Sequence, residues 1–163
     1  MSLDQTGPAG GLLRIIQEQF SLDCRGVHGA SHWARVRDNG LRLAALTTAK
    51  PKVVELFALL HDSRRFTNGY DPQHGTRAAL YARSLAGSAF QLEAVDLDLL
   101  ADACHGHSDG LMSGDITVLT CWDADRLDLG RVGVKPRPER LCTLAARDPS
   151  FIEWAYQRSI ART

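Results

Sequence analysis

The chain has 163 residues, 44% hydrophobic and 23% charged, which is close to globular averages and excludes an intrinsically disordered protein. That length fits one domain, able to bury about 70% of the surface its unfolded form exposes. Lys plus Arg and Asp plus Glu are both 19, so the basic excess expected of a duplex nucleic-acid binder is missing.

Residues 1–10 read as a flexible N-terminus, polar and rich in Gly and Pro, followed by a single helical domain over 11–163. The start of the chain has neither the basic nor the apolar region of a signal peptide. No apolar run approaches the roughly 18 residues a membrane helix needs. Cys24, Cys104, Cys121 and Cys142 form no CxxC pair and read as reduced thiols, so the expected compartment is the cytoplasm.

The pattern from Gly11 to Phe20 places Leu12, Leu13, Ile15, Ile16 and Phe20 on one helical face. After a break at Gly26–Gly29, Ser31 is placed to cap a long helix from about His32 to Thr48. That helix would carry Trp33, Val36, Leu43 and Leu46 inward, with a kink or weak turn at Asn39-Gly40. Pro51 suits the first turn of the next helix. Its residues Val53, Val54, Leu56, Phe57, Ala58, Leu59 and Leu60 are apolar nearly all round, which predicts burial. Asn-Gly and Asp-Pro dipeptides mark the following stretch as a loop. Further helices are read over about 74–87, 96–106 and 115–128, with weaker patterns at 139–146 and 149–160. No segment alternates as a strand does, so the expected class is all-α, a bundle of about seven helices.

Chemistry concentrates at the helix ends. The buried helix closes on His61-Asp62, and a carboxylate in such surroundings is costly without an Arg or a metal ion beside it. All six histidines lie between His28 and His107, each at or near a predicted helix end. Imidazole and carboxylate suit zinc, iron, manganese or nickel, and helices of a bundle can collect them into one centre. Scattered histidines with no common site are an equally good account of composition alone.

The order of the residues adds to this. Ser31-His32-Trp33-Ala34-Arg35-Val36, then Leu59-Leu60-His61-Asp62, then Asp123-Ala124-Asp125-Arg126-Leu127-Asp128 resemble the H…HD…D pattern of the HD-domain metal-dependent phosphohydrolase superfamily, over about residues 25–132. The resemblance implies that His32, His61, Asp62 and Asp125 bind one divalent transition metal (Mn, Fe, Co, Ni or Zn). Asp62 would also orient the attacking water. Asp123, two residues earlier than Asp125, would face elsewhere and cap a loop or meet an Arg. A second ion, or a phosphate contact, would fall to His74, His105 and His107, with His74 and His105 the better placed. His107 has a loop-like neighbourhood, and His28 reads as structural or solvent-facing.

The implied partner is a small phosphorylated substrate, a nucleotide foremost, with Arg35, Arg65 and Arg126 as candidate substrate contacts beside Arg64. Some nucleotidases of the superfamily carry a Glu three residues after the HD Asp. Arg65 stands there instead, which argues against that chemistry and for a phosphate-attracting site. A di-iron oxygenase on the same fold, and a non-catalytic metal- or ligand-sensing module, remain alternatives. Trp33 and Trp122 read as core residues. No P-loop, dinucleotide-binding glycine motif, nucleophile elbow or HExxH motif is present.

Overall fold

The computed structural model describes residues 8–161. Of the N-terminus expected to be flexible, residues 1–7 lie outside this range, and Pro8 already opens helix α1 (Pro8–Gln19), which buries Leu12, Leu13 and Ile16. Helix α2 (Ala30–Ala44) starts from Gly29 rather than from a Ser31 cap. A Cβ on Gly29 would lie 2.1 Å from the Cys24 carbonyl oxygen, so the chain turns into α2 where only glycine fits.

At Asn39-Gly40, where a kink or weak turn was expected, α2 continues as α-helix through both residues. A Cβ on Gly40 would meet Val54 at 2.4 Å and Ala124 at 3.3 Å, while Asn39 Nδ2 donates to the Ala124 carbonyl at 3.1 Å. The pair therefore serves close helix crossing instead of a kink. Helix α2 stops at Ala44, short of Thr48, so Leu46 lies beyond it and is exposed.

Helix α3 (Pro51–Leu60) buries Val53, Val54, Leu56, Phe57, Ala58, Leu59 and Leu60, which is why its sequence is apolar nearly all round. It packs against α2, α5 (Ala94–Gly106) and α6 (Ile116–Arg126), with α4 (His74–Leu85) paired along α5. Asp115 caps α6 by accepting from Thr117 N at 2.7 Å. Helix α7 (Pro149–Ile160), capped by Asp148, covers a second apolar cluster of Leu43, Leu127, Leu141, Phe151 and Ile152. The weak pattern at 139–146 yields only a short 3-10 turn at Pro138–Arg140, since Pro136 and Pro138 restrict the chain entering it. Among the described residues there are seven α-helices and no strand, in one all-α domain. None of these helices is long and apolar enough to cross a membrane.

Candidate metal centre

The C-terminal end of α3 delivers His61 and Asp62 to the point where α2, α4, α5 and α6 converge. Phe57, one turn earlier, fixes the His61 ring twice: its carbonyl accepts from Nδ1 at 3.0 Å, and its ring stacks at 4.8 Å between centroids. From the first turn of α2, His32 donates Nδ1–H to Asp128 Oδ2 at 2.7 Å. Carboxylate and carbonyl oxygens only accept, so both imidazoles carry their proton on Nδ1. Their Nε2 lone pairs then face each other at 3.0 Å.

Two lone pairs in contact are unfavourable unless a proton or a cation lies between them. Burial pushes His61 down to about 3, against the opposite pull of Asp62 and Asp125, so the His61 ring itself is neutral at ordinary pH. Beside the pair, Asp125 Oδ1 lies 3.4 Å from His32 Nε2 and 3.7 Å from His61 Nε2, buried and without a hydrogen-bond partner. Burial raises the Asp125 carboxyl, but His61, Arg131, His32 and His107 outweigh it and hold the group at about 2. Neutral imidazoles and ionised carboxylates are the forms in which these groups bind metal. This donor set fits a divalent cation. His32, His61 and Asp62 offer ligand atoms within 4.8 Å of one another, as do His61, His107 and Asp125.

Asp62 faces both ways. Its Oδ2 lies 3.6 and 3.7 Å from Nε2 of His32 and His61, and its Oδ1 lies 3.4 Å from Nε2 of both His74 and His107. His74 and His107 repeat the first arrangement, donating Nδ1–H to the Asp71 and Cys104 carbonyls and meeting Nε2 to Nε2 at 2.9 Å. A Cβ on Gly75 would lie 2.6 Å from the His105 carbonyl oxygen, so this glycine allows α4 close enough to α5 for the two rings to meet. The electrostatics differ from those of the first pair. Burial lowers His107, but Asp62, Asp125 and the Cys104 carbonyl together outweigh this and lift it above its ordinary value, so one proton can reside in this pair. Burial also raises Asp62, yet His61, His107, His28 and His32 together hold it well below the carboxylate range.

The structure brings His32, His61, Asp62, Asp125, His74 and His107 together and leaves His105 out. The exposed His105 ring meets Thr76 Oγ1 at 3.2 Å, because His105 and His107 point to different sides of the α5 terminus. His107, expected in a loop and exposed, is buried. His28, expected to be structural or solvent-facing, is also buried and donates Nδ1–H to Asp62 Oδ2 at 2.7 Å. Asp123 faces away, accepting from Cys142 N, Thr143 N and Thr143 Oγ1 at 2.7–2.8 Å.

A cavity of about 420 Å³ opens onto this cluster, walled on its polar side by His28, Asp62, His107, Asp125, Arg65, Arg126 and Arg131. Arg65 donates Nε–H to Asp62 Oδ1 at 3.0 Å. Arg35 does not line the cavity. It clamps Asp128 with Nε at 2.6 Å and Nη2 at 3.2 Å, and so steadies the carboxylate that orients His32. Arg131, unmarked by sequence reasoning, approaches Asp125 Oδ1 at 3.8 Å and is anchored on the Val27 and Asp128 carbonyls. Asp128 had only its place at the end of the Asp123–Asp128 segment to signal it. His28 had only its proximity in sequence to His32.

No family model matches the chain, and no curated protein matches it. Its fold is similar to the crystal structure of a predicted HD superfamily hydrolase from an uncultured Thermotogales bacterium. The TM-score is 0.69 at 27% identity, over 91% of this chain and 85% of the other. The chain thus resembles a predicted HD superfamily hydrolase in its all-α fold, and its buried His/Asp cluster at the end of α3 could hold a metal ion.

Proposed function

We propose that the protein is a metal-dependent phosphohydrolase acting on a small phosphate ester, with nucleotides the leading substrate class. The observation that carries this reading is the pair of facing Nε2 lone pairs of His32 and His61 beside the unpartnered Asp125 Oδ1. On this reading His32, His61, Asp62 and Asp125 hold a divalent transition metal (Mn, Fe, Co, Ni or Zn), and Asp62 with His74 and His107 offers a place for a second ion. A bound metal supplies Lewis acidity toward a phosphoryl oxygen and lowers the pKa of bound water towards neutrality.

The remaining work falls to the chain. Asp62, its Oδ2 held by His28, orients a water at the cavity floor for in-line attack on phosphorus. Arg65, Arg126 and Arg131 supply the positive charge that the phosphoryl oxygens require as they gain negative charge. Arg35 is assigned a positioning role through Asp128. The four cysteines are unpaired, in keeping with a reducing compartment, and we place the activity in the cytoplasm.

A panel of nucleotides and generic phosphate esters assayed with added Mn²⁺, Co²⁺ or Ni²⁺ tests this reading. Hydrolysis in the wild type, lost in His61→Ala and Asp62→Ala, is the expected result. The His74–His107 pair also favours a second reading, a di-iron oxygenase. Two irons per chain with oxygen consumption and no phosphatase activity would select it, and a protein inactive in both assays would be a sensing module.

A further inference from the structure

Next to the cavity above the metal centre lies a second, half-open cavity of about 320 Å³. The two share Gly110, Arg126 and Leu129 in their walls, so they adjoin directly. Each lies in the size range of small-molecule sites. The second chamber is lined by Arg126, Lys135, Arg137 and Arg140 and by no carboxylate among the described residues. In a chain of zero formal net charge, that is a local concentration of positive charge.

The four cations are not equivalent. Lys135 pairs with Glu153 at 2.8 Å, and Arg126 donates to the Leu111 and Arg140 carbonyls at 2.6 and 3.2 Å. Arg137 and Arg140 have no side-chain hydrogen-bond or ion-pair partner among the described residues. Both sit on a strap that is held in place locally. Pro136 and Pro138 restrict its backbone, Val134 N bonds the Leu129 carbonyl at 3.1 Å, and the Lys135–Glu153 pair ties it to α7. Two exposed, unpaired guanidiniums on such a strap are available to an anion, and guanidinium pairs most strongly with phosphate through two parallel N–H donors.

We propose that the substrate carries a second phosphate, bound by Arg137 and Arg140 in this chamber while the reacting phosphate occupies the cavity above Asp62. The substrate class is therefore a small bisphosphorylated molecule, with its body lying against Leu129 and the Arg126 wall. This rests on the phosphohydrolase reading for the reacting phosphate, whereas the second-phosphate chamber is testable without turnover.

The test compares matched ligands, fructose 1,6-bisphosphate with fructose 6-phosphate and adenosine 3′,5′-bisphosphate with adenosine 5′-monophosphate. Calorimetric titration is done on the Mn²⁺-loaded protein and repeated after metal depletion, where turnover contributes no heat. At least one bisphosphate should bind about tenfold or more tightly than its monophosphate partner, the scale of one charge-assisted contact. In the Arg137→Ala/Arg140→Ala double variant that advantage should fall to about twofold or less. Circular dichroism and the denaturation midpoint should be the same for wild type and double variant. The absence of any bisphosphate advantage in the wild type, or its retention in the double variant, overturns the proposal. Failure to hydrolyse any ester while the binding difference holds would overturn the phosphohydrolase reading and leave the second-phosphate chamber supported.

Discussion

Two histidine pairs flank Asp62, alike in composition and different in readiness for a cation. His32 and His61 each have Nδ1 fixed by an acceptor, and burial keeps a proton off His61. The unsatisfied Asp125 oxygen lies alongside them. His74 and His107 have the same fixed tautomers, but Asp62 lifts His107, so that pair can settle its contact with a proton. The lesson is that ligand type does not rank two such sites. The groups behind the imidazoles and the supply of carboxylate do.

If the first pair is the tighter site, the largest effect belongs to His61→Ala and Asp62→Ala. Each should lower hydrolysis by more than about 100-fold, beyond the range seen when only an outer partner of a ligand is lost. Initial rates with saturating Mn²⁺ check this. Asp128→Ala should come next. It removes the acceptor that sets the His32 tautomer and should weaken metal binding about 10–100-fold, read by competition with a chelating dye. His107→Ala should remove the weaker ion alone, while the exposed His105→Ala should leave both, as separate metal titrations would show. Asp123→Ala should have the smallest effect on the centre. It breaks three hydrogen bonds to residues 142–143 and should cost about 2–4 kcal/mol of stability, visible as a lower denaturation midpoint with metal content unchanged.

Much of this was legible in the sequence, for a physical reason. Helix α3 shows its burial because it is apolar nearly all round, and a carboxylate at its end needs a partner, so His61-Asp62 marked the centre of the molecule. Asp123 and Asp125 face different ways, as the sequence implied, because two residues along a helix turn the side chain to another face. Contacts between elements were not legible. Gly40 looked like a helix breaker until its contacts with Val54 and Ala124 were seen, and Gly75 carried no signal of the crossing that brings His74 to His107. The choice between His105 and His107 depends on how α5 ends against α4, which local pattern does not encode. Arg35 lies in a motif yet serves Asp128, whereas Arg131 lies outside the motif and lines the cavity.

The account turns on His32, His61, Asp62 and Asp125 holding a cation together, and metal content per chain measures this most directly. Wild-type protein reconstituted with Mn²⁺ and passed through a desalting column should retain at least one tightly held ion. Asp125→Ala and His61→Ala should each lose it, and His107→Ala should keep it. A wild type that retains no metal, or an Asp125→Ala variant that retains as much as the wild type, would contradict the account.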